Sequence, residues 1–391
     1  MLGTRKNTTE RGDIMKDNRS MVVIAIIMAC IVIMMMTIVA SAGGGIRTGA
    51  RAASLYEPHT GTFIYENNSD LRLPMASTTK IMTALLAIEH CTLNESVEIP
   101  FEAVGIEGSS LYLKEGDVLT VKDLIYSLLL QSANDAATAL AIKISGDISG
   151  FAELMNKKAA ELGLTNTHFE NPHGLDSDEH YTTAKDLALI TAAALQNEFF
   201  KKVVSTYKYS FSVSGKPRIV VNHNKLLRMY DGALGVKTGY TRVSGRCLVS
   251  AAERDGLTLI AVTLDDPDDW RDHKSLLDYG FSQYERVPAR CIAPDIIKLP
   301  VINSESSELT ASLREIDEIK LIKRRDEPEF TATLDVKQYA VAPIKKGDTV
   351  GEIIFKKGDE EVLRAPLVAN IDVKEKSEKK FGIFDIFDFG R

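Results

Sequence analysis

Cysteine is scarce and carries no pattern. Four stand in 391 residues, Cys30, Cys91, Cys247 and Cys291, and none forms a Cys-x-x-Cys pair. Cys30 lies inside an apolar run, which leaves an odd three, so lone or buried thiols are expected rather than a disulfide framework. His-Glu-x-x-His is missing among the seven histidines, which excludes the common zinc-peptidase pattern. His168, His173 and His180 lie close in sequence but without ligand spacing, so they are expected to structure a loop, and neither metal nor cofactor is called for. Positive charge is not in excess: the net charge is −7 and the pI about 5.6. With no basic helix carrying interleaved aromatics, nucleic acid is excluded as a partner.

What is present begins with bulk. The chain is 45% hydrophobic, enough for a sizeable core, and long enough for two globular domains with appendages. Met1–Ser20 carries five Lys/Arg against three acids, and Met21–Ala40 follows as twenty uncharged residues. That run is long enough to span a bilayer and longer than a usual signal core. Ala40-Ser41-Ala42 then offers a small-x-small cleavage site. A cleaved signal peptide and an uncleaved anchor with its basic side inside both fit, and either way the remainder is exported.

Gly43–Arg51 reads as a flexible linker. Ala52–Tyr65 alternates around Thr60-Gly61, as a strand or hairpin does. Met75–Cys91 has helical spacing, with Ile81, Leu85 and Ile88 flanked by Met82 and Leu86. Leu119–Ile144 reads as two helices broken near Gln131–Asn134, where Ser132, Asn134 and Asp135 are capping types. Gly150–Gly163 and Thr183–Ala194 are helical in pattern. From Gly235 the period changes: Cys247–Glu253 and Leu257–Leu264 are strand-like and joined by Arg254-Asp-Gly256, a hairpin signal. Lys237-Thr-Gly239 falls on the neighbouring antiparallel strand, and Leu276–Tyr284 suits a short helix packed back on the sheet. Together these predict an α/β fold, an antiparallel sheet flanked by helices with a helical subdomain.

Composition shifts near Arg286. Short strands at Ile319–Ile322, Phe330–Leu334 and Glu352–Phe355, with Lys-Lys-Gly-Asp turns at 345–348 and 356–359, predict a small all-β domain. The expected organisation is a basic segment with signal or anchor over 1–42, a linker over 43–51, an α/β domain over 52–286, a β-rich domain over 287–373 and a tail over 374–391. In that tail four lysines and two glutamates precede Phe381–Phe389, where four phenylalanines and two isoleucines surround Asp385 and Asp388. A basic start and an aromatic amphipathic stretch suit an interfacial membrane segment.

Three short strings carry the chemistry: Ser77-Thr-Thr-Lys80, Ser132-Ala-Asn134 and Lys237-Thr-Gly239. Ser-x-x-Lys recurs at Ser205–Lys208 and Ser377–Lys380, whereas Ser-x-Asn and Lys-Thr-Gly each occur once. A serine hydroxyl needs a base to act as a nucleophile. Ser77 and Lys80, at i and i+3, share a helix face. Lysine ordinarily titrates near ~10.4; burial, the helix dipole and a converging Lys237 would each lower it. The Ser77 N–H at the helix start can donate to an oxyanion, and the Tyr240 N–H is a second donor. Ser132 can relay a proton to a leaving amine. Asn134 can bridge to Lys80 and hold a substrate amide. Lys237 and Thr238 can present charge and hydroxyl to a carboxylate, and Gly239 leaves room for an extended substrate.

The chain resembles the D-alanyl-D-alanine carboxypeptidases, the low-molecular-mass penicillin-binding proteins. The likeness rests on Met75-Ala-Ser-Thr-Thr-Lys-Ile-Met-Thr83, Gln131-Ser-Ala-Asn-Asp135, Thr167-His-Phe-Glu-Asn-Pro-His-Gly-Leu175 and Gly235-Val-Lys-Thr-Gly-Tyr-Thr241. It implies a β-lactamase/transpeptidase-like fold and catalytic roles for Ser77, Lys80 and Ser132. It further implies substrate binding by Asn134, Lys237, Thr238 and Gly239, and carboxylate binding by Arg271. It implies peptidoglycan stem peptides ending in D-Ala-D-Ala as substrate, β-lactams as covalent inhibitors and a place at the outer face of the bacterial cytoplasmic membrane. Two departures stand out: Ala133 where glycine is frequent, and Thr241-Arg-Val-Ser-Gly245 in place of a more usual acidic and alanine pair. A β-lactamase on the same scaffold is the competing enzyme, but no Glu-x-x-Leu-Asn string is present to position a deacylating water. A penicillin-binding sensor or scaffold with negligible turnover is the non-enzymatic alternative.

Overall fold

The computed structural model describes residues 46–316 and 320–377. β1 (Ala52–Glu57) and β2 (Thr62–Asn67) form the expected hairpin. Its turn is held by the Glu57 carboxylate, which accepts the His59 and Thr60 N–H groups at 3.1 and 2.8 Å. A 3-10 turn over Ala76–Thr79 leads into α1 (Lys80–His90), whose Ile81, Met82, Leu85 and Leu86 are buried. After a small ladder of β3 (Ser96–Glu98) and β4 (Val118–Thr120), α2 (Val121–Leu130) opens with a capping box from Thr120 and Asp123. Next come α3 (Asn134–Ser145), α4 (Ile148–Glu161), α5 (Ala184–Leu195) and α6 (Glu198–Ser205). The hairpin of β5 (Lys208–Val213) and β6 (Lys216–Val221) and the single turn α7 (Leu226–Met229) lead to the last strands.

β7 (Ala233–Thr241), β8 (Gly245–Arg254) and β9 (Leu257–Leu264) complete a five-stranded antiparallel sheet in the order β2-β1-β9-β8-β7. The β8–β9 turn puts Asp255 and Gly256 at φ of 51° and 74°, the positive pair that a two-residue hairpin needs. Every residue of β9 is buried, so it reads as a continuous apolar strand covered on both faces. α5 and α8 (Asp269–Gln283) pack on the sheet. α8 is longer than the expected Leu276–Tyr284 segment, because its first turn is polar and gives no apolar period. Gly49 and Arg51, which composition assigns to a linker, are tied down: the Arg51 N–H donates to the Leu264 and Asp265 carbonyls, and the Gly49 N–H to Asp272.

β10 (Tyr284–Pro288) runs across position 286 and pairs with β13 (Lys320–Arg324). Between them lie β11 (Ile297–Ile302) and β12 (Glu308–Leu313), and after them β14 (Phe330–Asp335), β15 (Ala340–Val341), β16 (Thr349–Lys357) and β17 (Glu360–Ala369). A six-stranded sheet in the order β14-β16-β17-β12-β11-β15 forms around its own core, with Leu309, Phe355 and Leu367 buried. A separate core fills the region from Ala52 to Leu264. Among the described residues no helix is long and apolar enough to cross a membrane; Met21–Ala40 and the tail beyond Ser377 lie outside those residues. The tail's first residues are attached to the β-rich region, where the Lys376 N–H donates to the Asn303 carbonyl at 2.9 Å.

Candidate active site

The three strings meet at one cleft of about 280 Å³, whose lining includes Ser77, Ser132, Thr238, Gly239 and Tyr240. Ser77 sits in the 3-10 turn, and Lys80 opens the helix one turn on. Lys80 is fully buried and its Nζ lies 3.0 Å from Ser77 Oγ. The same Nζ donates to the His173 carbonyl at 2.5 Å. Burial and the nearby Lys237 charge hold Lys80 well below the ordinary lysine value of 10.5, against a weaker opposing pull from Asp135. A fold that denies water to an ammonium stabilises the neutral amine, which is the basic form.

Lys237, also buried, donates to Ser132 Oγ at 3.0 Å and to the Thr238 carbonyl at 2.8 Å. Burial pushes its pKa down to about 7. Two residues of the motif strings and their borders carry positive φ although neither is glycine, Ala76 at 47° and Ser132 at 63°. One directly precedes the nucleophile and the other is the second serine, and such strain persists only where surrounding packing over-determines it. Gly239 explains how the strand comes so close. A Cβ there would stand 3.1 Å from the Ala76 Cβ, the Met75 carbonyl and the Ser77 nitrogen, so glycine lets β7 lie against the nucleophile's turn without pushing it aside.

The inter-helix turn differs from expectation in one respect. Ser132, Asn134 and Asp135 do not cap α3; Ala133 occupies the N-cap without a side-chain bond. Asp135 instead holds the 110–113 loop, accepting the Leu111 and Leu113 N–H groups and the Ser110 hydroxyl, the last at 2.6 Å. The Asn134 side-chain nitrogen donates to the Glu107 carbonyl rather than bridging to Lys80. Its Oδ1 is buried without a partner, an acceptor facing a cost unless a further donor arrives.

The histidine loop packs against the nucleophile's turn and the helix that follows it. The Pro172 carbonyl accepts the Thr83 hydroxyl at 2.6 Å, and His180 Nε2 lies 2.8 Å from the Thr79 hydroxyl. Gly174, at φ 88°, lies so close to the Ala76 carbonyl that any side chain would collide with it. Burial lowers His173 to about 3 and His180 to about 4, so both are neutral braces.

Several cleft residues have no motif to announce them: Ser109, His223, Arg246, Asp269 and Trp270. Arg246 was open to inference, since it stands opposite Tyr240 in the β7–β8 ladder. Arg271 does not line the cleft. Its side chain is 68% exposed and pairs with Asp268 at 2.7 Å and Asp272 at 3.4 Å. A larger cleft, about 520 Å³, lies in the β-rich region but has no serine, cysteine or histidine in its wall; chemistry rather than size selects the site.

The family model described as D-alanyl-D-alanine carboxypeptidase matches residues 38–268, and that described as penicillin-binding protein 5, C-terminal domain, matches residues 295–375. The chain is 35% identical to the D-alanyl-D-alanine carboxypeptidase DacF of Bacillus subtilis (strain 168), over 83% of this chain and 86% of that one. It is 32% identical to DacC of Escherichia coli (strain K12), over 83% and 84%. Among solved structures it resembles the D-alanyl-D-alanine carboxypeptidase DacD from Francisella tularensis, with a TM-score of 0.63 and 30% identity over 85% of this chain and 95% of that one. It likewise resembles penicillin-binding protein 5 from Haemophilus influenzae, with a TM-score of 0.68 and 26% identity over 85% and 99%. With its motifs, its sheet and its β-rich second region all matched along the same span, the chain belongs to the D-alanyl-D-alanine carboxypeptidase family.

Proposed function

We propose that the chain is a serine carboxypeptidase that removes the terminal D-alanine from peptidoglycan stem peptides, and that Ser77 carries the acyl group. The observation that carries this reading is the fully buried Lys80 amine 3.0 Å from Ser77 Oγ. Ser77 Oγ attacks the carbonyl carbon of the penultimate D-alanine while its proton passes to Lys80 Nζ. The new C–O bond leaves an oxyanion, for which the Ser77 and Tyr240 N–H groups are the donors. Their proximity is supported by Gly239, next to Tyr240, where an added Cβ would stand 3.1 Å from the Ser77 nitrogen. The C–N bond then breaks, and a proton delivered through Ser132, in contact with Lys237, lets D-alanine leave as an amine. Water then attacks the ester, restoring Ser77 and releasing the shortened peptide. Asn134 Oδ1 is the acceptor for a substrate amide N–H, while Lys237 and Thr238 border the place of the departing carboxylate.

β-Lactams present the same carbonyl and carboxylate and acylate the same serine. A labelled penicillin tests the assignment, since peptide mapping is expected to find the adduct on Ser77. An adduct on Ser205, or none, overturns it. Release of free D-alanine from a D-Ala-D-Ala peptide separates an enzyme from a sensor, and comparison with β-lactam hydrolysis separates it from a β-lactamase.

The division into a catalytic domain over 52–286 and a β-rich domain over 287–373 is supported by the two separate cores. Attachment at the outer membrane face rests on the apolar run Met21–Ala40 and the aromatic tail. If the signal is cleaved after Ala42, deleting residues 378–391 releases active enzyme; retention in the membrane means that Met21–Ala40 is an uncleaved anchor.

A further inference from the structure

We infer that Arg246, rather than Arg271, is the permanent cation that receives the substrate's terminal carboxylate, and so sets the preference for a free C-terminus. The inference rests on the acyl-enzyme reading above.

Three observations support it. First, Arg246 lines the cleft together with Ser77, Ser132 and Thr238. It pairs with Tyr240 in the ladder while Leu248 pairs with Thr238. Residues two apart on a strand share a face, so Arg246 shares the face of Thr238 and Tyr240. Second, it is fixed there. Its Nη2 donates to Asp269 Oδ1 at 2.7 Å, and Asp269 is buried at the start of α8, itself in the cleft wall. A guanidinium has five donors in a rigid fork. The bond to Asp269 sets the orientation of that fork, and the side chain is still 44% exposed. Third, the other cations are already engaged. Lys237 spends donors on Ser132 and the Thr238 carbonyl, and burial weakens its hold on a proton by pushing its pKa down to about 7. Arg271 is turned to Asp268 and Asp272 away from the cleft.

Arginine matches carboxylate geometry with two parallel N–H bonds. The carboxylate of Asp269 attenuates the local charge, but an arginine without it would be free to leave the cleft. Asp269 is therefore a positioning residue.

The test compares acylation rate constants for a penicillin and for the methyl ester of its ring carboxylate, in the full chain and in Arg246→Ala, Arg246→Lys and Arg271→Ala. The unsubstituted enzyme is expected to prefer the acid. Arg246→Ala is expected to slow the acid by about 10- to 100-fold, the range for a lost charged hydrogen bond, and to leave the ester rate near its original value. Arg246→Lys is expected to recover part of the preference. The ester rate also reports that the variant has folded. Equal losses for acid and ester, no loss for either, or a collapse of the preference in Arg271→Ala instead would overturn the inference. Absence of acylation by both compounds in the unsubstituted enzyme would overturn the acyl-enzyme reading beneath it.

Discussion

The two regions of this chain treat buried charge in opposite ways. The region around the five-stranded sheet buries Lys80, Lys237, Asp135, Asp269, Asp272, His173, His180 and His273. The β-rich region fills its core with Leu309, Phe355, Leu367 and their neighbours, and Lys323 is its one buried charged residue among the described residues. Even that Nζ is shared by Glu285 at 3.3 Å and Glu329 at 2.9 Å. The remaining charges of that region lie outside, as in the cluster of Arg364 with Asp335, Glu352 and Glu361. Taking charge out of water is costly. A region does so where the perturbed protonation state has a chemical use, and a scaffold without such a use leaves its charges solvated.

The contrast is sharpest at the nucleophile. Ser77→Ala is expected to cut acylation by at least about 1000-fold, by analogy with the loss of other nucleophiles, with little change in melting temperature. Lys80→Arg is expected to match it, since a guanidinium keeps the charge and cannot act as a base. Lys237→Arg is expected to keep partial activity. Equal behaviour of the two lysine variants, read by penicillin labelling, would mean that their roles are not separate.

A smaller effect is expected from paired glycine substitutions. Gly239→Ala inserts a methyl group against the Ser77 turn, and a misplaced nucleophile costs on the order of 100-fold in rate. Gly358→Ala, at a turn with φ 62° and open space around it, is expected to cost roughly 1 kcal/mol of stability and no activity. Rate and melting midpoint measured on both variants check the pair; a catalytic loss from Gly358→Ala would break the comparison.

The response to acid sharpens the comparison without touching the nucleophile. All seven histidines precede residue 287. Burial lowers His173 to about 3, His180 to about 4 and His273 to about 3, below the ordinary value of 6.5. The unfolded chain therefore takes up protons first as pH falls. Stability contributed by the neutral rings is intact above about pH 6.5 and is lost between there and pH 3–4, by at most about 1.4 kcal/mol per pH unit for each ring. Calorimetry across that window is expected to show the catalytic region's transition moving down while the β-rich region's follows only its carboxylates. Parallel shifts of both would remove the distinction.

Much of the catalytic region was legible because its signals are local. The Ser-x-x-Lys helix start, the break at Gln131–Asn134 and the Asp-Gly hairpin each declare themselves within a few residues, and the sheet brings them together. What escaped was long-range. Asp269 and Trp270 reach the cleft from the start of α8, whose polar first turn hides the helix. Arg246 needed the β7–β8 register to be counted across the turn. Capping by Ser132, Asn134 and Asp135 was a fair reading of residue type, but the 107–113 loop competes for the Asn134 and Asp135 side chains, and a loop so distant in sequence leaves no local trace. The β-rich region was legible as a class from its turns and short strands, while its strand order depends on pairings between distant segments.

The contact from Lys80 to the His173 carbonyl has a stereochemical consequence. A neutral primary amine carries two hydrogens and one lone pair. The His173 carbonyl can only accept, so it engages one of the two hydrogens and leaves one hydrogen and the lone pair for the other directions. With the lone pair towards Ser77 Oγ, the 3.0 Å contact runs from the hydroxyl to the amine. The loop carbonyl therefore withdraws one N–H from competition for the serine oxygen, without itself gaining or losing a proton.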